Sequence, residues 1–383
     1  MPASTDLLER SSDIKQQLVR FAQSSRLKSE FRRALACTDE YRPITGDSDF
    51  IRFLDTFVLQ HRLPDGHTVV DRFVAAHREL SEQDRAMVLG WKDVVEGVFE
   101  VQRRDGEALI VENLVDDLTY RVRSNMGTTA FKPMTRRSFL ITRLVPLADE
   151  WLISGLTNVM PAANRPEMYQ IAAEVAATSP TAVFRNPDKV ARGWELQRED
   201  RACFVEFFGS DEIVLTGKEL AERMSEYWSF RMRTARAKAK DRGASKASLN
   251  TPDPDFTLPA HLYESASVAL IYDEVDGLNF FGDYALIQEV FDDPTLLRDR
   301  ARRQHLLDYL KDDSVSPLPF RRLAKRDPAK ASQVFGKLLK RPAFSWESDG
   351  EALLRRYKPT HFDKPALPSV VPVSERLVKY AHR

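Results

Sequence analysis

The fold is decided by two neighbouring stretches, VFEVQRRDGEALIVENLVDDLTYRVR at residues 98–123 and FLITRLVPLADEWLISGL at residues 139–156. Both are rich in β-branched, aromatic and other apolar residues, in short runs separated by turn residues, which is typical of short strands. Asp105-Gly106 is a strong hairpin signal, and Asp116-Asp117 marks a second turn. The pattern predicts five strands that form a small β-barrel of the SH3-like or OB-like kind.

Helical spacing of apolar residues dominates the rest of the chain. The predicted fold class is therefore α+β, a mostly helical chain with the small five-stranded barrel inserted. Three prolines and several small polar residues between Ser245 and Pro259 predict a linker near 245–258. We predict four segments, which are a helical N-terminal region at 1–92, the barrel at 93–162, a helical region ending in a basic helix at 163–244, and a mostly helical C-terminal domain at 259–383.

The composition limits the classes of function that fit. The 383 residues carry a formal net charge of zero, so any binding of a polyanion must come from local patches. Cys37 and Cys203 are the two cysteines, which argues against a cysteine-rich zinc site and a disulfide scaffold and indicates reduced thiols. No signal-peptide pattern or run of about 18 apolar residues occurs. We expect a cytoplasmic protein, bacterial in character, with no membrane partner.

A one-sided run of positive charge follows the predicted helix at 216–228. It contains seven cations and one acidic residue, Asp241, and it lacks an apolar stripe. The hypothesis is a helix that binds nucleic acid or another anion, and the alternative is an ordinary solvated helix face. The cations are Arg231, Arg233, Arg236, Lys238, Lys240, Arg242 and Lys246.

The predicted barrel carries a second group of cations. Arg136 and Arg137 lie in the basic loop at 124–137, and we take them as candidate anion-binding residues. Four further cations add positive charge nearby, and Tyr120 and Phe131 are candidate faces for stacking on bases. These four cations are Arg121, Arg123, Lys132 and Arg143.

The acidic residues Asp273, Glu274 and Asp276 are the best candidates for a metal site, since carboxylates at this spacing can bind Mg²⁺ or Ca²⁺. They do not match the EF-hand pattern, and the alternative is an acidic turn after a strand. The sequence contains no G-x-S-x-G motif, no P-loop motif and no G-x-G-x-x-G motif. We therefore predict no catalytic residues and no cofactor.

Three segments resemble a bacterial family of uncharacterised cytosolic proteins related to proteins with a SEC-C zinc motif. The segments are 268–280, VALIYDEVDGLNF, 314–320, SVSPLPF, and 346–354, WESDGEALL. The cysteines of the SEC-C motif are absent here. The resemblance covers about the C-terminal third of the chain, and it implies a binding or adaptor role without a zinc-dependent one.

The favoured hypothesis is a non-enzymatic cytosolic binding or adaptor protein whose partner is RNA, a ribonucleoprotein or another protein. The basic helix and the barrel would supply the binding surface. One alternative is a metal-dependent hydrolase that uses Asp273, Glu274 and Asp276. Another is a structural assembly protein whose aromatic-rich C-terminal segment packs against a partner chain.

Overall fold

The computed structural model describes residues 5–41, 44–241, 256–363, 365–378 and 380. The chain divides into an N-terminal unit, made of residues 1–189 and 373–383, and a C-terminal unit, made of residues 190–372. Helices and strands both contribute, so the predicted α+β class is confirmed. The four segments predicted from the sequence are a finer division, and that division stays a prediction. In the described part of the chain, no helix combines the length and apolar character needed to cross a bilayer.

Five strands of the N-terminal unit form one sheet in which the first strand pairs with both the second and the fourth. They are β1 Val95–Asp105, β2 Ala108–Asn113, β3 Thr119–Arg123, β4 Phe139–Leu147 and β5 Glu150–Met160. The hydrogen-bonded order is β1-β2-β3-β5-β4, and β4 pairs again with β1. Only the β3–β5 pairing is parallel within this sheet. The five predicted strands are therefore confirmed, and Gly106 adopts a positive φ of 60° in the β1–β2 turn that the Asp-Gly pair predicted.

The inside of this sheet is filled by residues that alternate along the strands, as the period of two predicts. One side chain in two points inward, and the loop after β3 adds two more. The buried residues are Val95, Phe99, Val101, Leu109, Val111, Tyr120, Val122, Phe131, Met134, Leu140 and Leu144.

Five helices precede the sheet: α1 Thr5–Ala22, α2 Lys28–Tyr41, α3 Asp47–Leu59, α4 Val69–Ala76 and α5 Glu82–Gly90. Each presents an apolar face to a shared core, which also includes Val145, Leu147 and Leu152 of the sheet. Ser81 caps α5 by accepting a hydrogen bond from the Asp84 amide. These helices therefore stabilise the sheet as one packed body.

A buried polar cluster joins α1 and α3 to the sheet. Asp55 of α3 accepts hydrogen bonds from Lys15, from Ser154 on β5 and from Arg143 on β4, the last at 2.8 Å. Burial lowers the pKa of Lys15, although the Asp55 carboxylate opposes that change. Gly155 lies beside this cluster with a φ of 68°, and a methyl group there would lie 3.3 Å from the Asp55 carboxyl carbon. Asp55 is therefore a buried anion shared by the buried Arg143 and the half-buried Lys15.

After the sheet, α6 Arg165–Thr178 and α7 Pro180–Val183 complete the N-terminal unit together with a segment from the end of the described chain. That segment begins a short helix at Glu375, its Leu377 side chain is buried, and Tyr380 contacts the Tyr169 ring on α6. Arg376 forms ion pairs with two acidic residues of the β2–β3 region. The segment is thus an integral part of this unit.

The C-terminal unit contains a three-stranded antiparallel sheet in the order β6-β7-β8, with β6 Glu212–Leu215, β7 Val268–Asp273 and β8 Gly277–Gly282. Helix α8, Pro187–Phe208, and α9, Gly217–Asp241, lie close to it in sequence. Thr216 and Glu219 form a capping box at the start of α9, where the sequence predicted a helix. The remaining helices are α10 Ala260–Tyr263, α11 Tyr284–Asp292, α12 Arg300–Lys311, α13 Leu318–Arg326, α14 Pro328–Leu338, α15 Trp346–Tyr357 and α16 Pro359–Phe362.

Two buried polar side chains hold segments of the C-terminal unit together. The Lys358 ammonium group is buried and donates hydrogen bonds to the carbonyl oxygens of Tyr309 and Asp312 at the end of α12. Gln197 of α8 donates to the carbonyl oxygen of Glu274 in the β7–β8 turn and accepts hydrogen bonds from Ser369. The segment around Ser369 therefore lies directly against that turn.

The position of Gly277 follows from this packing. Its φ of 71° is in the left-handed region, and a methyl group on its Cα would overlap the Ser369 hydroxyl group. Glycine is thus required here both by the backbone conformation and by the close approach of the segment around Ser369.

Candidate functional site

The basic loop between β3 and β4 is held tightly against strand β1. The Arg137 amide donates a hydrogen bond to the Val101 carbonyl oxygen at 2.8 Å, and the Val101 amide donates to the Ser138 carbonyl oxygen at 2.9 Å. Arg137 has a φ of 67°, which is uncommon for a residue with a side chain and persists where the surrounding structure fixes the backbone. The conformation of this loop is therefore determined by the sheet.

Two apolar side chains of the loop anchor it to the core of the sheet. Phe131 ends the short 3₁₀ helix Gly127–Phe131 and is buried with Met134 in the core of the sheet. Between and after these anchors, Lys132 and Arg136 are exposed. The alternation of buried apolar and exposed basic residues directs the positive charges of the loop outward.

The loop and the β1–β2 hairpin enclose a groove with a volume of about 740 Å³, which we call the cationic groove. Among the residues that the structure describes, its lining contains four cations and no carboxylate. The lining residues are Val101, Gln102, Arg103, Arg104, Lys132, Met134, Thr135 and Arg136. The structure thus brings Arg136 together with Arg103 and Arg104, two hairpin arginines that the sequence interpretation did not propose as binding residues.

The charges of the cationic groove are largely uncompensated. Arg103 lies 3.6 Å from the Asp105 carboxylate, and both side chains are exposed enough for water to weaken the attraction. The side chains of Arg104, Lys132 and Arg136 form no ion pair with any residue that the structure describes. Arg137 is likewise exposed and lies directly beside the groove. A negatively charged ligand would therefore meet up to five cations here.

The other predicted cations of this region are neutralised by carboxylates. Arg121 binds Asp105 and Glu150, and Arg123 lies between Glu107 and Glu150. These arginines hold the strands together, and their charge does not reach a ligand. The prediction that they add to a positive surface is wrong.

Arg143 is neutralised in the same way. It is buried and binds the carboxylates of Asp55 and Glu96 at 2.8 and 2.9 Å. Asp55 lies 88 residues and Glu96 lies 47 residues before Arg143 in sequence, so counting the charges of neighbouring residues did not reveal these partners.

Tyr120 and Phe131 are not available for stacking on bases. Both are buried, and the Tyr120 hydroxyl group donates a hydrogen bond to Asp116 at 2.7 Å. Burial and the nearby Asp116 carboxylate raise the pKa of Tyr120. The interpretation of these rings as stacking faces is therefore wrong.

The basic helix is α9, and part of its charge is satisfied within the C-terminal unit. Arg231 binds Asp200 of α8 and lies over the Trp228 ring at 5.0 Å. Lys238 lies 3.6 Å from the Glu199 carboxylate. These contacts show that Arg231 packs α9 against α8.

The remaining cations of the run have different positions. Arg233 is exposed, and Arg236 is half-buried. Lys240 lies near the end of α9, whereas Arg242 and Lys246 lie outside the described residues. Among the α9 cations whose side chains the structure describes, Arg233 and Lys238 are therefore the exposed ones.

The acidic residues of the β7–β8 turn do not converge on a shared point. The Asp273 carboxylate accepts hydrogen bonds from the amides of Val275 and Asp276 and binds Arg322 at 3.1 Å. Burial alone would raise the pKa of Asp273, but these amides and the guanidinium group outweigh it and hold the pKa below its usual value. Its carboxylate is thus already occupied by donors.

The other two acids of the turn add no ligand set. Glu274 is exposed, at 3.8 Å from Arg201, and burial raises the pKa of Asp276. Within the described residues, no group of three acidic, histidine or cysteine side chains is placed to hold a metal ion. The turn matches the alternative interpretation, an acidic turn after a strand, and gives the metal-dependent hydrolase hypothesis no support.

Comparisons of this chain with models of protein families, with curated proteins and with solved structures gave no significant match.

Proposed function

We propose that this protein is a non-enzymatic binding protein that holds RNA, alone or within a ribonucleoprotein, in the cationic groove of its five-stranded sheet. In this proposal the sheet is a small barrel of the SH3-like or OB-like kind, and its loops form the binding surface. The observation that carries the proposal is the groove lining, which contains four cations and no carboxylate.

The charge pattern of the rest of the unit supports this assignment. Most arginines near the sheet are bound to carboxylates, as Arg121, Arg123 and Arg143 are. Free cations concentrated at one groove of a protein with zero net charge indicate a local anionic ligand. Phosphate groups of a nucleic acid backbone are such a ligand, and arginine binds them with two parallel hydrogen bonds.

The kind of recognition follows from what the groove lacks. Its lining contains no aromatic side chain, and the nearby rings of Tyr120 and Phe131 are buried. Base stacking, which contributes about 1–3 kcal/mol per base in many single-strand binders, has no platform there. The groove is therefore expected to bind the backbone with little preference for sequence.

The setting of this activity is also a proposal. The two cysteines are free thiols, which fits a reducing compartment such as the cytoplasm. The resemblance to the SEC-C-related family implies the same binding or adaptor role and adds no enzymatic activity. A protein partner is the other outcome that the experiment below distinguishes.

The test is purification of the full chain from native lysate at low salt, followed by identification of bound RNA and protein. Two charge-reversal variants are compared with the wild type, Arg104→Glu with Arg136→Glu in the groove, and Arg233→Glu with Lys238→Glu on α9. We expect RNA with the wild type and the α9 variant, and its loss in the groove variant and at high salt. RNA that stays with the groove variant would refute the proposal, as would a salt-resistant protein partner in place of RNA.

A further inference from the structure

A second concave site in the N-terminal unit lies at the other end of β1 from the cationic groove. This cleft has a volume of about 770 Å³ and is bounded by β1, β4, β5 and residues of α3, α6 and α7. The volume is in the range of small-molecule sites, about 300–1,000 Å³. Apolar side chains from the sheet and from α6 form much of its wall, namely Val98, Ile141, Leu156, Ile171 and Val175.

A bulge in β5 shapes the floor of this cleft. Ile141 of β4 pairs with Asn158, whereas Arg143 pairs with Ser154, so β5 carries two more residues than β4 between these pairs. Gly155, in its left-handed conformation, lies within this extra length and lines the cleft. Bulges redirect side chains and are frequent beside functional sites. Arg143, whose pair with Ser154 lies at one side of the bulge, is among the residues that line the cleft.

The guanidinium group of Arg143 has an unusual set of partners for a buried cation. Its donors bind Asp55 and Thr56 of α3 and Gln60, the residue that follows α3, at 2.7–3.0 Å. The remaining partner is Glu96, at 2.9 Å, and the Glu96 side chain is 57% exposed. The Glu96 carboxylate is therefore able to turn to water when another anion takes its place, while Asp55 continues to compensate the buried guanidinium group.

The other cations of the cleft complete an anion-binding surface. Arg52 on α3 is exposed, and no ion pair joins it to the described residues. Lys92 and Arg185 also line the cleft, each bound to one carboxylate, Asp71 and Asp93 respectively. Asp93 and Glu96 are the two carboxylates among the lining residues, against four cations.

We propose that this cleft binds a small organic phosphate monoester, whose phosphate replaces Glu96 on Arg143 and also contacts Arg52, and whose apolar body lies on the wall formed by Ile141, Leu156 and Val175. A forked guanidinium group held in place by Asp55 and Gln60 suits the two-point binding of a phosphate. Glu96 occupies the anion position when the ligand is absent. The site does not depend on the RNA-binding function proposed above.

The test is isothermal titration calorimetry of the full chain with phenyl phosphate and with inorganic phosphate, at matched ionic strength. We expect phenyl phosphate to bind at least about tenfold more tightly, because its ring buries apolar surface. Glu96→Gln removes the competing carboxylate and is expected to tighten phenyl phosphate binding about fivefold, the equivalent of one exposed ion pair. Arg52→Gln is expected to weaken it by a similar factor of about five.

Both variants change exposed side chains, so folding is retained, and Glu174→Gln on α6 serves as the matched control for a lost surface carboxylate. The groove variant Arg104→Glu with Arg136→Glu is expected to keep the wild-type affinity for phenyl phosphate. The proposal is overturned if Glu96→Gln fails to tighten binding, if Arg52→Gln has no effect, if phenyl phosphate binds no better than inorganic phosphate, or if the groove variant removes binding. Normal RNA binding by the Arg52→Gln variant would separate this site from the groove.

Discussion

Replacing Arg104 and Arg136 by glutamine removes two of the five exposed cations at and beside the cationic groove and leaves the packing of the sheet intact. The five cations are Arg103, Arg104, Lys132, Arg136 and Arg137. If each meets one phosphate of a single strand, the logarithm of the binding constant falls with the logarithm of salt concentration with a slope of about −3.5, since each contact contributes about −0.7. The double variant keeps three contacts and a slope of about −2.1.

These slopes give measurable differences in affinity. Between about 50 and about 200 mM salt, the wild type is expected to lose about 130-fold in affinity and the double variant about 20-fold. Fluorescence anisotropy with a labelled RNA of about 12 nucleotides measures both values, and a scrambled sequence checks that base identity matters little.

The matched control is Arg233→Gln with Lys238→Gln, which removes the same charge from α9. It is expected to leave the salt slope at its wild-type value, because α9 is not the RNA site in this proposal. A double groove variant with an unchanged slope would refute the reasoning, and a reduced slope in the α9 variant would move the binding site to that helix.

Three further predictions concern two buried polar side chains and one glycine. Asp55→Asn leaves Lys15 without its anion and Arg143 with the exposed Glu96 as its remaining carboxylate, and it is expected to cost about 3–5 kcal/mol of unfolding free energy in chemical denaturation. Adding Lys15→Met is expected to recover part of this cost, whereas a cost below about 1 kcal/mol would contradict the description of Asp55 as a shared anion. Burial lowers the pKa of Lys358 to about 8 in the folded protein, whereas the unfolded chain keeps this proton up to a pH of about 10.5. Because the unfolded state binds the proton more tightly, the contribution of Lys358 to stability rises with pH from about 8 to about 10.5. The difference in unfolding free energy between the wild type and Lys358→Met is therefore expected to grow over that interval by up to about 3 kcal/mol, and a flat difference would show that the lysine is not desolvated. Gly277→Ala is expected to lower the melting temperature by several degrees more than Gly209→Ala. Gly209 is the matched control, because it has a similar φ of 75° but open space around its Cα. Equal losses would show that the segment around Ser369 does not pack tightly against the turn.

The sheet was predictable because its signals are local. Alternating apolar residues, the Asp105-Gly106 turn and the basic loop are each contained in a few residues, so five strands followed from the sequence alone. The pairing of β3 with β5 was harder to predict from the sequence, because these strands pair in parallel although β4 lies between them in sequence. Such a pairing leaves no turn signature in the sequence.

The candidate site was only partly predictable, for reasons of charge pairing. Arg136 and Arg137 were identified from the sequence, whereas Arg103 and Arg104, next to the Asp105-Gly106 turn, were not proposed as binding residues. The basic loop lies beside these two arginines because Val101 forms hydrogen bonds with Arg137 and Ser138. The interpretation of Arg143 failed because the acidic residue that neutralises it inside the protein comes from a distant helix. Local sequence gives the number of charges, whereas the fold decides which of them remain free.

The return of residues 373–380 to the N-terminal unit has a consequence for synthesis of the protein. Leu377 and Arg376 complete that unit, yet the ribosome makes them after all 183 residues of the C-terminal unit. At about 5–20 residues per second, the N-terminal unit waits roughly 10–40 s for its last segment. During this interval the surface that later receives Leu377 is open to chaperones and to other nascent chains, so this unit reaches its native state only after the C-terminal unit has been translated.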